Sequence, residues 1–209
     1  LPYAPGVSEW KIPRSHIVFD HAGDGYPGLL SIVGGKLTTY RQLAEDATDD
    51  VVKQLGRGAK RPVSKHRPFP GADAPDLEIF EKHFKANTTL AADTLERLFA
   101  LYGVRAQEVV ALVKKNPELA ERFDPNSAAI AAELIFAVDA EFAQTLTDVF
   151  ARRILLAFEP GHGLAGAKRA SKILAAHLGW SEKARQAQEK GYAQWLDHLR
   201  VPESAPVAV

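Results

Sequence analysis

A run of glycine and proline near the first third of the chain constrains the fold most. Residues 56–75 hold Gly56, Gly58, Pro62, Pro68, Pro70, Gly71 and Pro75. Proline removes a backbone donor and glycine resists ordering, so neither a helix nor a central strand runs through such a stretch. The chain is therefore read as two parts joined by a linker. The parts are residues 1–58, the linker 59–75, residues 76–200, and a disordered tail at 201–209. Every Lys, Arg, Asp or Glu from Arg57 to Arg67 is basic (Arg57, Lys60, Arg61, Lys65 and Arg67). An anion, RNA or membrane contact would use such a run. A solvated connector is the preferred reading, because no aromatic residues interleave with the charges.

The two parts differ in periodicity. Residues 16–20 and 29–33 are rich in β-formers and read as strands, with turn chemistry at 22–28 (Gly23, Asp24, Gly25, Pro27, Gly28). Gly34 and Gly35 end the second strand. Leu37, Tyr40, Ala44, Ala47, Val51 and Leu55 then recur at helical spacing, ending at Gly56. After residue 75 the pattern is helical throughout. Leu77, Phe80 and Phe84 share one face; Leu95, Leu98 and Tyr102 share another before Gly103; Val109, Val110 and Val113 mark a third. Asn126 or Ser127 is the expected N-cap of a helix bearing Ile130, Leu134, Ala137 and Val138. Thr145 and Asp148 form an acidic capping box for a helix through Val149, Phe150 and Ile154 that Pro160 and Gly161 close. The last two helices are Leu164–Leu178, with Gly179 as a left-handed cap, and Ser181–Leu199. The expected class is α+β, mostly α: two short strands and one helix, then an antiparallel helical bundle.

Composition removes several functions. The 209 residues carry 26 Lys+Arg against 26 Asp+Glu, so binding nucleic acid by bulk charge is disfavoured. With no cysteine there is no disulfide, thiolate metal site or Cys nucleophile. The seven histidines lack helical ligand spacing, so no metal site is expected. Apolar runs reach five residues, against about 20 for a membrane span. Leu1-Pro2-Tyr3 shows neither a start methionine nor a leader, and the chain is expected to be a piece of a longer protein.

Three strings resemble ligand motifs. Gly161-His162-Gly163-Leu164-Ala165-Gly166 matches the dinucleotide fingerprint, but a helix and Pro160 precede it where a strand is required, so it reads as a loop and helix start. Gly35-Lys36 lacks the first glycine and the Ser/Thr of a P-loop. The third string, Gly34-Gly35-Lys36-Leu37-Thr38-Thr39-Tyr40-Arg41, reads as strand, glycine turn and helix start. The amides of Lys36, Leu37, Thr38 and Thr39 would point from the helix end, where the dipole favours an anion, and Lys36 adds a cation. A plain corner with a solvated lysine is the competing reading.

That string, followed by Ala44-Glu45, resembles the signature of FAD-dependent glycerol-3-phosphate dehydrogenases. Further blocks agree in order. Glu133-Leu134-Ile135-Phe136-Ala137-Val138, Glu141, Thr145-Leu146-Thr147-Asp148 and Ala151-Arg152-Arg153 are similar to helices of that family's C-terminal domain, with Phe136 in place of the usual tyrosine. Pro13-Arg14-Ser15-His16 resembles the start of a strand in the family, with Pro13 departing from serine. Pro70-Gly71-Ala72 resembles the start of the C-terminal domain.

The resemblance implies hydride transfer from C2 of glycerol 3-phosphate to flavin N5, giving dihydroxyacetone phosphate, with electrons passing to a quinone. FAD would be held mainly by an N-terminal part that lies outside this chain, and the chain alone is expected to be inactive. The resemblance assigns substrate phosphate to Arg14 and a place beside flavin and substrate to Lys36. It assigns cofactor contacts to Gly34, Gly35, Lys36, Leu37 and Thr38. The catalytic base is expected outside this chain; His16 is a local candidate, with a structural role preferred. A cytoplasmic location is implied, with peripheral attachment to the inner face of the membrane left open, as is a homodimer. The alternatives are a glycerophosphate oxidase reducing O2, and a helical domain that docks a membrane or partner. Arg152 and Arg153 are expected to pair with Glu133, Glu141 or Asp148. Trp180, Tyr192 and Trp195 are read as packing residues.

Overall fold

The structure is a computed structural model that describes residues 6, 8, 15–58 and 62–199. Arg14 and the tail from 200 onward lie outside the described residues. The chain divides into two compact units, Leu1–Pro68 and Phe69–Val209.

The first unit holds a two-stranded antiparallel sheet. β1 (Ile17–Asp20) pairs with β2 (Leu30–Val33), with Ile17 opposite Val33 and Asp20 opposite Leu30. The connection is a 3-10 turn, His21–Asp24. Asp20 caps it by accepting the Ala22 N–H, and Gly25 closes it at φ 88°. α1 runs Tyr40–Gln54, preceded by a 3-10 turn at Leu37–Thr39. The helix therefore opens three residues later than its apolar spacing predicts. The stripe that defined it is uncovered: Leu37 is 90% exposed, and Tyr40, Val51 and Leu55 are exposed as well. Two short strands offer too little surface to bury a four-turn helix.

The second unit is helical. α2 (Leu77–Ala86), α3 (Ala92–Tyr102) and α4 (Ala106–Lys115) carry the predicted apolar faces. α5 (Ala131–Asp139), α6 (Leu164–Leu178) and α7 (Glu182–Asp197) follow, with Gly179 left-handed after α6 and Ser181 capping α7. Residues Ala131 to Ala137 are all buried. A helix apolar on every side belongs in the middle of a core, and α5 feeds two clusters. Leu134 and Ala137 pack with Leu146, Phe150, Ile154, Leu174, Tyr192 and Leu196, with Trp180 and Trp195 at the margin. Ile130, Ala132 and Phe136 pack with Phe84, Leu98 and Val109. Each such side chain contributes about 1.5–3 kcal/mol on burial, so α5 ties the unit together.

Two local expectations are corrected. The backbone N-cap of α5 is Ile130, not Asn126 or Ser127. Glu133 reaches back to the Ile130 N–H at 3.0 Å, while the Ser127 hydroxyl donates to Glu159. The segment after Thr145 begins with the expected reciprocal cap: Asp148 Oδ2 accepts the Thr145 N–H and Thr145 Oγ1 accepts the Asp148 N–H, both at 3.0 Å. It then winds as a π-helix, Asp148–Arg153, and Leu155 turns left-handed at φ 60°.

Pro70-Gly71-Ala72 has a steric basis. Gly71 lies against the α3–α4 junction, where its carbonyl accepts the Val104 N–H at 2.9 Å. A Cβ on Gly103 would sit 2.0 Å from that carbonyl oxygen, and a Cβ on Gly71 would sit 2.6 Å from Tyr102 O.

Candidate functional site

The corner after β2 turns on two glycines. Gly34 has φ 80° and Gly35 φ 96°, the left-handed region that a side chain disfavours. Gly35 is also close to its neighbours: an added Cβ would lie 3.3 Å from His16 Cβ and 3.4 Å from Leu43 Cδ1. The turn thus presses the start of the helix against the residue just before β1.

Of the four amides expected to stay open, two are taken by capping. The Lys36 N–H donates to Thr39 Oγ1 at 3.2 Å, and the Thr39 N–H donates to the Lys36 carbonyl at 2.9 Å. The Thr39 hydroxyl donates to that same carbonyl at 2.9 Å. The Leu37 and Thr38 amides have no partner among the described residues. Thr39, expected to offer an open amide, instead caps the turn through its hydroxyl, a role sequence reasoning missed. Its signal was a hydroxyl three residues beyond the last residue of extended backbone, the N3 position of a cap.

The charges differ in freedom. Arg41 is engaged by Glu45 and by Gln42 at 2.8 Å. Lys36 is exposed and has no carboxylate partner among the described residues. It lines a cavity of about 370 Å³ with Ser15, His16, Thr39 and Gln42. His16 Nε2 lies 2.7 Å from Asp46 Oδ2, and Gln42 Nε2 donates to Asp46 Oδ1 at 2.7 Å. The imidazole and the Gln42 amide hold the Asp46 carboxyl below the usual carboxylate range. The structure thus brings Gly34, Gly35, Lys36, Leu37 and Thr38 together at one corner. Two amides and a lysine without partners among the described residues, near the positive end of a 15-residue helix, would suit a group that becomes negative, such as the N1/C2=O edge of a flavin. Such a group would meet the Leu37 and Thr38 amides and the Lys36 ammonium there.

A larger opening in the same unit, about 530 Å³, is lined by Asp20, Ala22, Pro27, Gly28, Val51, Gln54 and Leu55. Its Gln54 amide donates to Asp20 Oδ2 at 2.9 Å, so its two polar side chains already satisfy each other.

The fingerprint-like Gly161–Gly166 is not a ligand loop. The Gly166 N–H at the start of α6 donates to Asp124 Oδ2 at 2.9 Å, so a carboxylate of the chain itself occupies the helix end. A Cβ on Gly163 would meet the Phe150 ring at 2.9 Å. Glu133 is fully buried and pairs with Arg97, not with Arg152 or Arg153. Arg152 pairs with Asp148 at 2.6 Å, and Arg153 donates to the Glu141 carbonyl at 2.8 Å. Among the described residues no group of His, Asp or Glu could hold a metal ion, and no helix is long and apolar enough to cross a membrane.

Comparison with known proteins places the chain. The family described as the C-terminal domain of alpha-glycerophosphate oxidase matches residues 62–185. The glycerol-3-phosphate dehydrogenase of Synechocystis sp. is 37% identical over 204 residues, covering 97% of this chain and 37% of that protein. The glycerol-3-phosphate dehydrogenase of Mycobacterium leprae is 32% identical over 173 residues, covering 82% of this chain and 29% of that protein. An X-ray structure of the glycerol-3-phosphate dehydrogenase from Bacillus halodurans complexed with FAD matches with TM-score 0.73 at 25% identity, covering 91% of this chain and 38% of that one. The chain thus spans less than two-fifths of the length of these relatives. With more than half of its own length matched, the chain belongs to the family of the alpha-glycerophosphate oxidase C-terminal domain, whose curated relatives are glycerol-3-phosphate dehydrogenases.

Proposed function

We propose that this chain works as the C-terminal part of a longer FAD-dependent enzyme that oxidises glycerol 3-phosphate to dihydroxyacetone phosphate. The observation that carries the reading is the Gly34–Thr38 corner, where an exposed lysine and two amides lie together without a partner among the described residues. FAD, when bound, supplies the two-electron acceptor. Oxidation removes a hydride from C2, which FAD would accept, and a proton from its hydroxyl, which a base outside this chain would take. Lys36 holds the substrate oxygen through its cation, which favours the oxygen as negative charge develops there. The Leu37 and Thr38 amides, with the α1 dipole behind them, favour negative charge on the cofactor edge. Arg14 binds the phosphate, for which the planar guanidinium offers two charge-assisted hydrogen bonds.

The test is Lys36→Ala in the full-length enzyme. Removing one preorganised electrostatic contact lowers kcat/KM by about 10²-fold per bound flavin. The 209-residue chain alone, mixed with FAD and gel-filtered, is expected to be colourless and inactive. Retained flavin and turnover would refute that division of labour.

The electron acceptor is proposed to be a quinone. A second reading, reduction of O2, is favoured by the family description, which names an oxidase. Stoichiometric peroxide from the full-length protein would select it.

A further inference from the structure

We infer that His16, held by Asp46, is a positioning residue for Lys36. The inference rests on the reading of Lys36 as the substrate-oxygen contact.

Three observations converge. First, Nε2 of His16 lies 2.7 Å from Asp46 Oδ2, and the second Asp46 oxygen is taken by Gln42 from the same helix. A carboxylate only accepts, so the imidazole donates from Nε2 and the bond fixes the ring's orientation. Second, the His16 side chain is only 15% exposed, and its Cβ is the nearest heavy atom to where a Gly35 Cβ would stand, at 3.3 Å. His16 thus stands where any side chain at position 35, one residue before Lys36, would meet it. Third, His16 and Lys36 line the same cavity with Thr39, whose hydroxyl ties to the Lys36 backbone on the other side.

The lysine therefore stands on a backbone flanked from two sides. Thr39 is bonded to it from the helix side, and His16, anchored by the Asp46 carboxylate of α1, lines the same cavity from the segment before β1. A four-carbon ammonium stem is flexible, so the placement of its Cα governs how often the charge meets the substrate oxygen. Displacement of about 1 Å in a reacting geometry costs up to about 10²-fold in rate. His16 need not touch the substrate to exert that effect.

The test is a double-mutant cycle in the full-length, FAD-loaded protein with His16→Asn and Lys36→Ala. Two quantities are read: kcat/KM for glycerol 3-phosphate, and the dissociation constant of dihydroxyacetone phosphate from its perturbation of the flavin absorption spectrum. His16→Asn is expected to lower kcat/KM by about 10- to 100-fold and to weaken product binding. The double variant is expected to match Lys36→Ala alone, because a clamp has nothing to position once the ammonium is gone. Losses that multiply would overturn the inference, and so would full activity of His16→Asn. A Lys36→Ala enzyme with undiminished activity would instead sink the reading of Lys36 itself. Asp46→Asn guards against misfolding: it keeps the imidazole against Gly35 and removes only the anionic anchor. A smaller loss in the same direction is expected, again absent on the Lys36→Ala background. Wild-type kinetics for Asp46→Asn would count against the inference.

Discussion

Asp124 Oδ2 accepts the backbone N–H of Gly166 at 2.9 Å, across 42 residues of sequence. A Cβ at position 166 would fall 2.7 Å from Asp124 Cβ and 3.0 Å from Asp124 Cα. Gly166→Ala therefore forces the two segments apart and loses the cap. Overpacking of this kind costs about 1–3 kcal/mol. The expected outcome is a lower urea midpoint by near-UV circular dichroism. Asp124→Asn, which keeps the shape and an acceptor, should lose less.

Glu133 is buried with no exposed surface, and burial pushes its carboxyl up against the pull of Arg97. It accepts the Ile130 amide, Arg97 Nε and the Tyr102 hydroxyl. Arg97 also holds Glu159 and the Ile154 carbonyl, so one carboxylate anchors α3, α5 and the segment after the π-helix. Glu133→Ala leaves the buried Ile130 amide and Tyr102 hydroxyl without their acceptor, while Arg97 keeps Glu159, and is expected to cost about 1–3 kcal/mol. Chemical denaturation measures it. Glu133→Gln keeps an acceptor for the Ile130 amide and should cost less.

Acid should loosen α7 through Glu182. Hydrogen bonding to Arg185, then to Gln186, lowers its carboxyl from 4.5 to about 2. The folded value lies below the unfolded one, so the stabilisation is present above pH 4.5 and is lost as pH falls toward about 2. In Glu182→Gln that component is absent at every pH. Thermal melts between those limits should show a shallower acid slope for the variant than for the wild type. Equal slopes would argue against the pairing.

Gly35→Ala tests the corner directly. A side chain at φ 96° carries strain of about 1–3 kcal/mol and presses on His16. In the full-length enzyme, activity is expected to fall while the urea transition followed through α5–α7 stays in place. Loss of both together would indicate a general folding defect instead.

Much of this architecture was legible in short spans of sequence. Gly103 and Gly179 marked helix ends because only glycine adopts their backbone angles at little cost, and Thr145 with Asp148 announced a reciprocal cap. The Gly34–Arg41 string located the corner and its lysine. What local patterns did not contain was the choice of distant partner. Arg97 claims Glu133 from 36 residues away, where Arg152 and Arg153 looked nearer and equally charged. Asp124 fills the end of α6, and nothing in the Gly161–Gly166 string announces it. The π-helical winding after Thr147 was invisible for a related reason: its apolar residues satisfy α and π spacing about equally over six residues.

The face-to-face contact of Gly71 and Gly103 limits how this chain can be re-engineered. Neither position accepts a side chain unless the other backbone retreats, so the two must be altered in concert or left alone. An added residue between Gly71 and α2 would drag α2 out of register with the α3–α4 junction.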